Sequence, residues 1–178
     1  MSGLTLVEVV LLISLLGVVL AVGVPAFVRG LRTSKAAEAP DELQRMFATV
    51  AAYYGTPQPT PDGKRVHCLP DPAGPTPEKP SVDPVEVQFT APEMPGAVTW
   101  RALGYSPAGP VRYRYSLLPS KPGCGLAPPN PRNPTLLTLR AEGDLDGDGV
   151  LSRFERSVAL RDGDLVLEPL LVVQERVE

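Results

Sequence analysis

Oxygen donors recur at every second position from 144 to 152: the carboxylates of Asp144, Asp146 and Asp148, the main-chain carbonyl of Val150 and the hydroxyl of Ser152, followed by the carboxylate of Glu155. A hard cation such as calcium takes about six to eight oxygens, and this spacing supplies them, with Ser152 acting directly or through water and Glu155 in bidentate fashion. Gly149 permits the sharp turn that folds the donors inward. Four carboxylates within twelve residues repel one another unless a cation lies between them, so one bound calcium ion is expected. The alternative is an Asp/Gly-rich turn that binds nothing.

A second candidate is a carboxylate out of place. Residues 9–28 form a run without a charge, and Glu8 stands immediately before it. About 20 apolar residues at about 1.5 Å each match a hydrocarbon core of about 30 Å, so the run is long enough to cross a membrane as one helix. A carboxylate placed in such a helix costs about 2.5–3.5 kcal/mol, which implies a partner for Glu8 unless it only snorkels at the membrane edge. Cys68 and Cys124 are the only cysteines. In an oxidising compartment an even count in a small proline-rich domain suggests a disulfide worth about 2–4 kcal/mol, with two buried thiols as the alternative. His67, the single histidine, neighbours Cys68, but soft ligands are too few for zinc. No lone Cys/His/Asn pattern, serine-elbow glycines or phosphate-cradling loop stands out, so an enzyme is not expected.

The stretch Gly3-Leu4-Thr5-Leu6-Val7-Glu8 followed by an apolar helix resembles the N-terminal signature of type IV pilins and type II secretion pseudopilins. The resemblance covers about residues 3–30. It implies that a prepilin peptidase cuts between Gly3 and Leu4 and methylates the Leu4 amine, and it matches Pro25 to a proline common in such helices. It further implies an inner-membrane protein of a bacterium that an assembly platform extracts and packs, helix against helix, with other pilin or pseudopilin subunits into a periplasmic or cell-surface filament. Glu8 then pairs with the Leu4 amine of a neighbouring subunit, since two buried opposite charges together cost less than either alone. A minor pilin of a type IV pilus is the leading expectation. A secretion pseudopilin shares the signature, and a non-polymerising, calcium-stabilised binding or adhesion module that uses the helix as a tether is the reading from a different class. The acidic loop resembles the twelve-residue calcium loop of EF-hands, but its flanks look strand-like, so the likeness is to the loop alone.

Arg29, Arg32 and Lys35 follow the apolar run, and by the positive-inside rule alone they would keep the C-terminal part in the cytoplasm. The two cysteines, the calcium-type loop and the resemblance favour the opposite orientation. Seventeen basic against twenty acidic residues, net charge −3, give no electrostatic reason to expect nucleic acid.

The elements that must position these residues follow from periodicity. Leu43, Met46, Phe47, Val50 and Tyr54 make an apolar stripe at helical spacing, so the helix continues past the membrane segment and needs a sheet to cover it. Pro40 costs about 3 kcal/mol inside a helix, which predicts a kink or break over residues 38–40, with Asp41 and Glu42 opening a second segment. Eight of the 22 prolines fall between residues 55 and 82, and residues 55–97 read as loop over a packed body. Residues 98–105, 111–118, 135–141, 152–160 and 165–173 read as strands of an antiparallel meander, with a turn at 106–110 and a tight hairpin at 161–164. Trp100 is assigned to the packing between helix and sheet, with an exposed ligand-binding aromatic as the alternative. The expected organisation is a leader over 1–3, a transmembrane and assembly half over 4–28, an amphipathic half over 29–54, the proline-rich region over 55–97 and the sheet with its loop over 98–178. The class is α+β, a long N-terminal helix on a small antiparallel sheet, as the pilin resemblance also implies.

Overall fold

The computed structural model describes residues 5–124 and 135–174, with side chains given throughout except at 28–34. The chain divides into two units, Met1–Ala36 and Ala37–Glu178. The first is helix α1, Leu6–Ala36, with Pro25 inside it. Over Leu6–Phe27 its mean hydropathy is 2.8, long and apolar enough to cross a membrane, and none of that window is buried within the protein.

The second unit opens with α2, Glu38–Gly55. The break therefore falls at Ala37, ahead of the expected site. Pro40 occupies the third position of α2, where its missing N–H is one of the donors a helix start leaves unpaired anyway, so the residue opens a helix rather than kinking one. The apolar stripe is present with one change: Leu43, Met46, Val50 and Tyr54 are buried along with Ala39 and Glu42, while Phe47 is only half-buried.

This stripe packs against a five-stranded antiparallel sheet, chiefly its last three strands. The sheet contains β4 (Ala73–Thr76), β5 (Arg114–Pro119), β7 (Thr135–Gly143), β8 (Ser152–Arg161) and β9 (Asp164–Gln174), in the order β4-β5-β7-β8-β9. Two short antiparallel pairs accompany it, β1 (Gln58–Pro59) with β2 (Arg65–Val66) and β3 (Cys68–Leu69) with β6 (Gly123–Cys124). Four of the expected strands are thus present as a meander. The register explains their two faces: Tyr115, Ala141, Phe154 and Val173 form one apolar cross-strand row, and Arg114, Glu142, Arg153 and Gln174 form the row beside it. At the β8–β9 turn Asp162 and Gly163 both have positive φ, 53° and 93°, the geometry that suits a two-residue hairpin.

Two expectations are corrected. Residues 98–105 are not a strand: Ala97–Leu103 forms helix α3, bracketed by Gly96 and Gly104 in the left-handed region. Alternation would place Val98 and Trp100 on one face, yet Val98 is 78% exposed and Trp100 fully buried. Ala97, Trp100 and Leu103, spaced by three, go inward together. Trp100 packs edge-on against Phe89 and donates its indole N–H to Thr76 Oγ1 at 2.9 Å, which bears out its place in the core. The proline-rich region also holds more than loop. Its β4 joins the main sheet as an edge strand beside β5, a place where Pro75 removes no needed donor.

Candidate functional site

Two groups of residues in two separate units carry the chemistry read from the sequence. In the first, Thr5 precedes α1 and Glu8 is the third residue of that helix. The Thr5 N–H and the Thr5 hydroxyl both donate to Glu8 Oε2, at 2.7 and 2.8 Å, and the Glu8 N–H points back to Thr5 Oγ1 at 3.4 Å. This reciprocal arrangement is a capping box, which satisfies two of the unpaired donors at the helix start. Glu8 thus has a partner within its own chain. Its second oxygen, Oε1, takes no part in the box. Gly3 and Leu4, the cleavage residues, lie outside the described residues.

The second group sits at the β7–β8 turn. Ligand oxygens of Asp144, Asp146 and Asp148 lie within 4.8 Å of one another, and among the described residues this is the one such cluster of potential metal-binding side chains. Backbone donors organise it. Asp144 accepts from the N–H groups of Gly147 and Gly149 at 2.8 and 3.1 Å, Asp146 from Asp148 at 3.3 Å, and Asp148 from Val150 at 2.7 Å. Gly147 and Gly149 adopt positive φ, 79° and 87°, which bends the chain around the carboxylates. Repulsion among the aspartates is therefore already offset by oriented N–H dipoles.

The remaining positions of the twelve-residue pattern lie elsewhere. Ser152 is buried and its hydroxyl donates to the Gly143 carbonyl at 3.0 Å, closing the neck of the loop. Val150 is 54% exposed. Glu155 is not in the aspartate group: β8 already runs extended from Ser152, so Glu155 stands opposite Arg140 in the sheet and forms an ion pair with it at 2.6 Å. The three aspartates offer oxygens of the type calcium takes, but the structure brings together three carboxylates and pairs the fourth with arginine.

One residue before the loop is anchored, Glu142 lies between two guanidiniums, Arg114 and Arg153, each at 2.9 Å. Burial raises its carboxyl affinity for protons, but the Arg153 hydrogen bond and the Arg114 charge outweigh this and hold its pKa below the ordinary carboxylate value. Cys68 and Cys124 are joined in a disulfide across the β3–β6 pair, as expected from their count. The His67 ring stacks on Tyr54 and its Nδ1 lies 2.6 Å from the Tyr54 carbonyl.

Comparison with family models, with curated proteins and with solved structures gives no match. Two partners escaped the sequence reading. Thr5 had a visible signal, a threonine three residues before a glutamate at the head of an apolar run. Arg140 had none, since its meeting with Glu155 depends on strand register.

Proposed function

We propose that this chain is a pilin-like structural subunit, a minor pilin, anchored by α1 in a bacterial inner membrane before assembly and packed through α1 into a type IV pilus or its tip. The observation that carries the reading is the motif Gly3-Leu4-Thr5-Leu6-Val7-Glu8 opening a helix whose apolar window is wholly exposed, in a chain whose second unit is a helix laid on an antiparallel meander. An exposed apolar surface of this length needs lipid or other helices around it. A disulfide fits a body outside the cytoplasm. Its partners are then the prepilin peptidase, the assembly platform and neighbouring subunits, and calcium at the aspartate loop stabilises the exported body.

Material from the native host tests this. Intact mass should show cleavage between Gly3 and Leu4 with one added methyl group, and Glu8→Ala should remain in the membrane with a folded body yet fail to enter filaments. A chain still beginning at Met1, or one cut beyond residue 25, counts against the proposal.

The capping box favours one second reading. Because Thr5 already satisfies Glu8, a membrane-tethered module that never polymerises has a use for this carboxylate as a helix cap alone. In that case Glu8→Ala leaves location and partner binding as they were.

A further inference from the structure

The two edges of the main sheet are closed to different degrees. In the order β4-β5-β7-β8-β9 the end strands are β4 and β9, and among the described residues neither has a strand on its outer side. Such an edge offers a row of unpaired N–H and C=O groups, which proteins blunt with shortness, proline, charge or a bulge. β4 combines several of these: it is four residues long, contains Pro75 and meets β5 in irregular register. β9 is blunted over only part of its length. Between the pairs Val158–Leu167 and Arg156–Leu171, residues 168–170 stand against Ser157 alone, a bulge that includes Glu168 and Pro169. Arg156 Nη1 donates to the carbonyls of both, at 3.4 and 3.1 Å. From there the strand runs Leu170-Leu171-Val172-Val173-Gln174 without a charge or a proline, and Leu170 and Val172 are 72% and 39% exposed.

We propose that residues 170–174 are a docking edge for a second copy of this chain, which adds its own β9 antiparallel to the first across a twofold axis at Val172. Among the described strands no other edge suits β9: β4 is closed, and β1, β2, β3 and β6 are two residues each. The sheet is therefore continued like with like, in an isologous contact that closes on itself. Main-chain hydrogen bonds hold such an added strand and alternate side chains fix its register.

Antiparallel pairing about Val172 sets Leu171 opposite Val173, Leu170 opposite Gln174 and Val172 opposite its counterpart, so aliphatic pairs fill the centre and no charge faces a like charge. The same register matches charges at both ends. The sequence after Gln174 is Glu175-Arg176, which lies outside the described residues, and it falls opposite Pro169 and Glu168 of the other copy. Arg176 is thereby matched with the Glu168 carboxylate. Glu175 is matched with Arg156, which among the described residues holds main-chain carbonyls but no carboxylate, and whose Nε is buried without a partner. A contact of five residues a side is small, so the dimer should form in a concentration-dependent way. It uses neither α1 nor the processing site, and it stands or falls apart from the filament reading.

Sedimentation of the full chain in density-matched detergent, at rising protein concentration, reads the number of chains per particle. The wild type should pass from one chain to two. Val172→Lys sets two lysines directly opposite each other and Val172→Glu two glutamates, so each variant alone should dimerise about tenfold more weakly. An equimolar mixture of the two should recover the dimer, because lysine then faces glutamate. A wild type that stays at one chain per particle overturns the proposal. So does a dimer that both variants retain, which moves the contact to another surface, and so does a mixture no more dimeric than its components. Should the Val172 variants not fold, Leu170→Lys and Gln174→Glu, opposite each other in the same register, replace them: Leu170→Lys alone should weaken the dimer and its mixture with Gln174→Glu should restore it.

Discussion

At the scale of single residues, the neck of the aspartate loop leaves no room for a side chain at Gly143. A Cβ on Gly143 would sit 2.6 Å from the ring of Tyr113, which is fully buried and meets Phe154 edge-on. The ring cannot yield without disturbing that contact, so Gly143→Ala should destabilise the second unit by about 1–3 kcal/mol, read as a lower denaturant midpoint with an unchanged slope. A midpoint within error of the wild type would show that the strand end gives way instead. The buried phenols make a second residue-level expectation. Because burial and then the glutamates raise Tyr105 and Tyr115, the proton each holds in the folded state stabilises the fold fully below the unfolded value of about 10, and that contribution is lost as the pH climbs toward the folded values. Both phenols should therefore ionise only as the protein unfolds in alkali. Absorbance titration of the double variant Tyr105→Phe/Tyr115→Phe should lack two late-titrating groups, and phenols that titrate at the ordinary position in the intact fold would refute the assignment. None of these contacts could be read from the chain alone. Glu38 and Glu42 do share a helix face with Leu43 and Met46, but only the return of residues 105–115 shows what that face meets.

Among the elements, those with a strong period were legible and those defined by their ends were not. The α2 stripe, the four long strands and the Asp162-Gly163 turn all follow from spacing and turn chemistry that tertiary structure leaves intact. Residues 97–103 misled because Val98, Thr99 and Trp100 favour strands, while two glycines in the left-handed region bracket a short helix around the buried tryptophan. The four-residue β4 was too short and too rich in proline and glycine to announce itself. The loop between β7 and β8 was legible as a loop, and its aspartates do converge; the ion pair of Glu155 with Arg140 was set by register and left no trace in the sequence. Calcium at this element should act on stability, because strands on both sides leave no helix pair to open. An extracellular-type site with a Kd of about 10⁻⁴–10⁻³ M, at tenfold excess of ion, contributes about 1.4 kcal/mol. Melting the chain with calcium and with chelator should separate the midpoints by about 5 °C, and Asp144→Ala should abolish the difference. Equal midpoints in the wild type would leave the loop as an acidic turn held by its own N–H groups.

For the molecule as a whole, the disulfide is the link whose loss tests how the second unit is held. Its small β3–β6 pair lies apart from the five-stranded sheet, and Cys68 is buried while Cys124 is exposed. Along the chain the two cysteines are 56 residues apart, and the loop they close contains β4, Phe89, α3 and β5. That loop supplies Trp100, Tyr105 and Tyr115 to the core and the donors that hold Glu38 and Glu42. A cross-link closing a loop of that length restricts the unfolded chain by about 4 kcal/mol in the chain-entropy account. That is a large share of the 5–15 kcal/mol or so by which a domain is stable. The expectation is specific in direction. Cys68→Ser/Cys124→Ser should lower the denaturant midpoint strongly, yet leave α1 helical, because its window Leu6–Phe27 is apolar enough for the micelle interior to sustain it. Circular dichroism of the variant in micelles should thus retain a helical remainder after the sheet has melted, and reduction of the wild type should reproduce the same curve. A variant that melts with the wild type would mean that the sheet and α2 hold the 68–124 loop without the bond, and that the cysteines report the compartment rather than sustain the fold.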